Sequence, residues 1–72
     1  MTLLEEYTQK AITLLGPSKV KTIKKMDPKN VLHMHFTVGR YLRNELDLWK
    51  KDLNGTHPDD FSMEILKTIN KS

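Results

Sequence analysis

A chain of 72 residues with no cysteine and a net charge of +3 has no disulfide staples, no thiolate metal ligands and no cysteine nucleophile. An apolar fraction of 38% and a charged fraction of 29% suit a soluble helical protein, and no apolar run approaches the ~20 residues of a membrane span. The missing thiols point to a reducing compartment, so the cytoplasm is the expected location. The opening residues carry Glu5 and Glu6 instead of a basic start and an apolar block, so no secretory signal is expected.

Gly16-Pro17, Asp27-Pro28, Asn54-Gly55 and His57-Pro58 punctuate the chain, and the intervals between them read as helices. The first helix is expected from about Leu3 to Leu15. Thr2 and Glu5 form a capping-box pattern at its start, and Gly16-Pro17 ends it. Its apolar face is Leu3, Leu4, Tyr7, Ala11, Leu14 and Leu15. A short second helix, about Ser18 to Met26, has Ser18 as its N-cap, turns Val20, Ile23 and Met26 inward and turns its lysines outward.

The third helix is predicted to be the longest. Asp27 caps it, Pro28 fits its first turn, and its buried stripe is Val31, Leu32, His35, Val38, Gly39, Leu42 and Leu46. A glycine in mid-helix costs ~1 kcal/mol relative to alanine, which Gly39 tolerates where another helix crosses closely. The last helix begins near Asp59 and turns Phe61, Ile65, Leu66 and Ile69 inward. Met26, Met34 and Met63 read as core filler. Alternation occurs only in Lys19 to Ile23, so no strand is expected. These elements predict an all-α fold, a small orthogonal bundle of about four helices in a single domain over residues 1–72, with the third helix at its centre.

The charge is uneven. Residues 16–30 carry +4, whereas residues 1–15 and 56–72 each carry −1 and residues 31–55 carry +1. Lys21, Lys24 and Lys25 therefore form a basic stripe on the second helix. Such a stripe is a solvated face, a docking surface for an acidic protein, or a counterion-releasing contact for a phosphate backbone. No arginine, asparagine or glutamine precedes Asn30 in this segment to read base edges.

The densest motif region is Gly39-Arg40-Tyr41-Leu42-Arg43-Asn44, then Leu48-Trp49, then His57-Pro58-Asp59-Asp60-Phe61-Ser62. Arg40 and Arg43 are three apart and neighbour each other on a helix. Asp59 and Asp60 sit at a helix start, where carboxylates accept unpaired backbone N–H groups. The expectation is a structural ion-pair network of Arg40, Arg43, Asn44, His57, Asp59 and Asp60 that pins the last helix to the third. The competing reading leaves the arginines free for a phosphate or an acidic partner.

No metal site is expected, because His33 and His35 point about 200° apart on a helix and cannot share one ion. No catalytic residue is expected either. Adjacent carboxylates at a helix start serve as a cap and its solvated neighbour. Ser18, Ser62 and Ser72 lack a nucleophile context, and Gly16, Gly39 and Gly55 are isolated rather than a phosphate loop. The chain is thus read as not an enzyme, with no cofactor. Trp49 is expected as a core lid or interhelical anchor, and as a partner hot spot if exposed.

This pattern resembles a family of small bacterial and bacteriophage proteins of unknown function. That family shows a histidine in an apolar segment, Gly-Arg-x-aliphatic-Arg-Asn, an aliphatic-Trp pair, a variable loop, and His-Pro-Asp-Asp-aromatic/Met-Ser before an aliphatic helix. The matching residues are His35, Gly39, Arg40, Leu42, Arg43, Asn44, Leu48, Trp49, His57, Pro58, Asp59, Asp60, Phe61, Ser62, Ile65 and Leu66. Lys50 to Thr56 is shorter than the family's usual linker, and Phe61 stands where methionine is common. The resemblance implies an all-helical domain and phage encoding, and brings no activity. Together these readings give a protein-interaction module that binds a host or defence protein through Lys21, Lys24, Lys25 and Trp49. The alternative is a nucleic-acid accessory protein using the lysine stripe. A homodimer fits either, since a core this small gains from burying more apolar surface.

Overall fold

The computed structural model describes residues 2–34 and 36–71. The first helix, α1 (Leu3–Leu15), opens on the predicted capping box. Thr2 Oγ1 accepts the Glu5 N–H at 3.1 Å, and the Glu5 carboxylate accepts the Thr2 N–H at 3.4 Å. It closes at Gly16, whose φ of 85° and ψ of 163° are essentially confined to glycine. The second helix, α2 (Pro17–Lys25), starts at Pro17, so Gly16 rather than Ser18 holds its cap position. No side chain caps it; proline at the first position has no N–H to satisfy there.

The predicted long third helix is two helices, α3 (Pro28–Met34) and α4 (Val38–Glu45). Asp27 caps α3 as expected, its carboxylate accepting the Lys29 N–H at 3.0 Å. The Phe36 and Thr37 N–H groups then donate to carbonyls only three residues back, those of His33 and Met34. Such tightened bonds close a helix. Thr37-Val38-Gly39 follows, two β-branched residues and a glycine, a run with poor helix propensity. Gly39 consequently lies in the first turn of α4, buried, instead of in mid-helix. Leu32, expected inside, is 47% exposed, and His35 lies outside the described residues.

Asp47, in the left-handed region at φ 52°, reverses the chain after α4. A 3₁₀ turn, Leu48–Lys50, follows. Asn54 and Gly55 take φ of 57° and 81°, the paired positive values of a tight turn. The last helix, α5 (Pro58–Lys71), is the centre of the fold and replaces the third helix in that role: α1, α2, α3 and α4 all pack on it. Its inward stripe is the predicted one, with Phe61, Ile65, Leu66 and Ile69 all buried. These residues meet Tyr7 and Ala11 of α1, Val20 and Ile23 of α2, Val31 of α3, Leu42 of α4, and Leu48 and Leu53 of the connection. Tyr7 and Phe61 meet edge to face, ring centroids 5.6 Å apart. Met26 and Met34 are half-buried against this core. The architecture is an all-helical bundle, with no strand among the described residues. No helix among them is long and apolar enough to cross a membrane.

Candidate functional site

Part of the motif region, Arg43, Asp59 and Ser62, forms a polar junction between α4 and α5, with Arg43 and Ser62 buried. The inward face of α4 is Gly39, Leu42 and Arg43. Arg43 is 8% exposed, and its position in the core requires partners for the guanidinium. Arg43 Nη1 donates to Ser62 Oγ at 3.0 Å, and Arg43 Nε lies 3.2 Å from Asp59 Oδ1. Ser62 is fully buried and donates in turn to the Asp59 carbonyl at 2.9 Å. One hydroxyl thus accepts from α4 and donates to α5.

His57 completes the start of α5. Its Nδ1 accepts the Asp59 N–H at 3.1 Å, and its carbonyl accepts the Phe61 N–H at 2.9 Å. The imidazole therefore does the work of an N-cap side chain. Nδ1 also lies 3.7 Å from Asp59 Oδ2. With Nδ1 accepting the backbone proton, the cap bond, not an ion pair, is the interaction formed. Trp49 stands edge to face on the His57 ring, centroids 5.7 Å apart, and remains 56% exposed.

The expected pairing of arginine with aspartate is present as Arg43–Asp59. Arg40, Asn44 and Asp60 stand outside it: all three are exposed, and no ion pair joins them to another described residue. Arg40 is three residues from Arg43, yet the buried face of α4 runs through Gly39, Leu42 and Arg43 and leaves Arg40 outward. Ser62, a motif residue whose only role weighed in the sequence was that of a nucleophile, is the acceptor for the buried Arg43. Its signal was its place three residues after Asp59, where a hydroxyl reaches back to the i−3 carbonyl. Trp49 is exposed and meets the capping His57 edge to face, so it is not the expected core lid, and the exposed alternative of the expectation applies. Among the described residues, no three metal-ligating side chains come together.

The surface residues divide between regions. Lys21, Lys24 and Lys25 are all exposed on α2. Lys21 and Lys24 border a shallow groove against α1, with Ile12 and Val20. Trp49 sits on the 3₁₀ turn, which packs on α4, whereas α2 packs on α1 and α5. The sequence singled out neither Tyr41 nor Phe36 as a contact residue. Tyr41 is 43% exposed and borders a groove with Leu14, Leu15, Val38 and Lys19. Phe36 is 75% exposed.

The family model described as a domain of unknown function, DUF6794, matches residues 4–72. The chain belongs to the DUF6794 family. That match takes in the whole α4–α5 junction and every exposed aromatic residue named above. No curated protein and no solved structure matches the chain. Membership in DUF6794 brings no activity, so function has to be read from the surface and the junction.

Proposed function

We propose that this DUF6794 chain is a small protein-interaction module that presents the stretch from α3 to the 3₁₀ turn to its partner. One observation carries the reading. Three of the five aromatic residues, Phe36, Tyr41 and Trp49, are exposed, and all come from this stretch, while Tyr7 and Phe61 fill the core. Tyrosine and tryptophan are enriched among the residues that dominate binding energy at protein interfaces. The Arg43–Ser62–Asp59 junction supports this presentation by fixing α4 on α5. On this reading the chain is not an enzyme and its motif region is structural.

The resemblance to small bacterial and bacteriophage proteins adds the finer part of the proposal: a phage-encoded protein acting in the host cytoplasm on a host or defence protein. A second copy of the chain is a further partner, because the same aromatic residues offer apolar area to bury.

The test is affinity capture from a lysate of the encoding organism at near-physiological salt, with wild type and a Tyr41→Ser, Trp49→Ser variant as baits. The proposal expects a protein recovered by wild type and lost with the variant. Equal recovery on both baits, or none, contradicts it. The exposure of Lys21, Lys24 and Lys25 favours the second reading, a nucleic-acid accessory protein. A salt titration against duplex and single-stranded DNA tests it, and no binding at low salt ends it.

A further inference from the structure

The fold gathers lysines that the sequence keeps apart. Lys67 and Lys71 belong to a C-terminal segment of net charge −1, and Lys29 to the basic segment before it. Asn70 joins the two regions. Its side-chain N–H groups donate to the carbonyls of Ile23 and Met26 at 2.8 and 2.9 Å, which docks the end of α5 on the end of α2. α3 packs on the same helix. The result is a groove of about 360 Å³ between α3 and α5, with Pro28, Val31 and Leu32 along its apolar part and Lys29, Lys67 and Lys71 around it. Among the described residues, no acidic side chain lines it. Glu64 reaches Lys67 only at 3.8 Å, with both side chains about half exposed, a pair worth little in water.

We infer that this α3–α5 groove docks an acidic segment of a partner protein, seating an apolar side chain beside Leu32 and flanking carboxylates on Lys29, Lys67 and Lys71. This inference rests on the reading of the chain as an interaction module and names the chemistry of its partner. The charge is complementary to glutamate and aspartate, and electrostatic complementarity sets partner choice and encounter rate. The apolar floor decides between acidic ligands. A sugar-phosphate backbone has only small methylene groups flanked by oxygens to place beside Leu32, and the described residues lining the groove include no aromatic ring for a base to stack on and no arginine to read one. A leucine-type side chain between carboxylates uses both features.

The experiment is a titration of the 15N-labelled chain with a synthetic peptide carrying leucine flanked by glutamates. In parallel arms the leucine is replaced by glycine, and a single-stranded thymidine oligonucleotide of equal charge replaces the peptide. Saturable shifts at Lys29, Leu32, Lys67 and Lys71 are expected. Leu32→Ser and the combined Lys29→Gln, Lys67→Gln, Lys71→Gln variant each weaken binding by about tenfold or more. Lys21→Gln, in the other groove, changes it by less than about twofold. The neutral substitutions lie on exposed or half-exposed side chains, and an unchanged spectrum away from the groove verifies folding. Equal binding of the glycine peptide, tighter binding of the oligonucleotide, or an equal loss with Lys21→Gln overturns the inference. Shifts at Tyr41 and Trp49 instead also overturn it, while leaving the interaction-module reading intact. Failure of the Tyr41- and Trp49-dependent capture defeats that wider reading separately.

Discussion

Replacing Arg43 by alanine removes the one charged side chain that is buried among the described residues, at the α4–α5 junction. Its hydrogen bond to Ser62 lies in the core, and a hydrogen bond involving a charged donor contributes ~1.5–3 kcal/mol. The ion pair with Asp59 adds less, because the Asp59 side chain is 44% exposed; ~0–1 kcal/mol is the appropriate range. Ser62 keeps its own bond to the Asp59 carbonyl, so the variant leaves no orphaned hydroxyl donor. The expected loss is therefore about 1.5–4 kcal/mol, a fall in Tm of roughly 5–30 °C for a domain of this size. Urea unfolding and thermal melts followed by circular dichroism measure it. A double-mutant cycle assigns it: coupling of Arg43 to Ser62 should exceed ~1 kcal/mol, and coupling to Asp59 should fall below that. A loss under ~0.5 kcal/mol, the scale of an ordinary surface substitution, would refute the claim that Arg43 locks α4 to α5.

Three further substitutions probe the frame around this junction. Asn70→Ala leaves the Ile23 and Met26 carbonyls without their side-chain donor and should cost about 1–3 kcal/mol in urea unfolding. Gly16→Ala meets no neighbour within 4 Å, yet its φ of 85° should cost about 1–3 kcal/mol in backbone strain, read from the same unfolding curves. Gly39→Leu puts a large side chain into the buried first turn of α4 and should destabilise by about 1–3 kcal/mol, seen as a lower Tm.

Much of the fold was legible because local chemistry dictates it. Thr2 and Glu5 specify the start of α1 by their spacing alone. The stripe Phe61, Ile65, Leu66 and Ile69 has one helical solution, and the structure takes it. The break between α3 and α4 was hidden for a specific reason. Val31 and Leu42 are eleven residues apart, close to three helical turns, so their periodicity reads the same with or without an interruption. The weak run Thr37-Val38-Gly39 was the available signal. The central role of α5 was invisible because it depends on which helices pack where. The site divides in the same way. An arginine–aspartate link between α4 and α5 could be expected from the motifs. That Arg43 and not Arg40 makes it follows from which face of α4 is buried. The meeting of Lys29 with Lys67 and Lys71 depends on tertiary packing.

The central claim is that the surface from α3 to the 3₁₀ turn is where this chain meets its partner. Residue-resolved NMR of the 15N-labelled chain, before and after addition of nuclease-treated lysate from the encoding organism, tests it most directly. Line broadening centred on Tyr41 and Trp49 is the predicted result. Broadening confined to Lys21, Lys24 and Lys25, or a spectrum unchanged by the lysate, would contradict it.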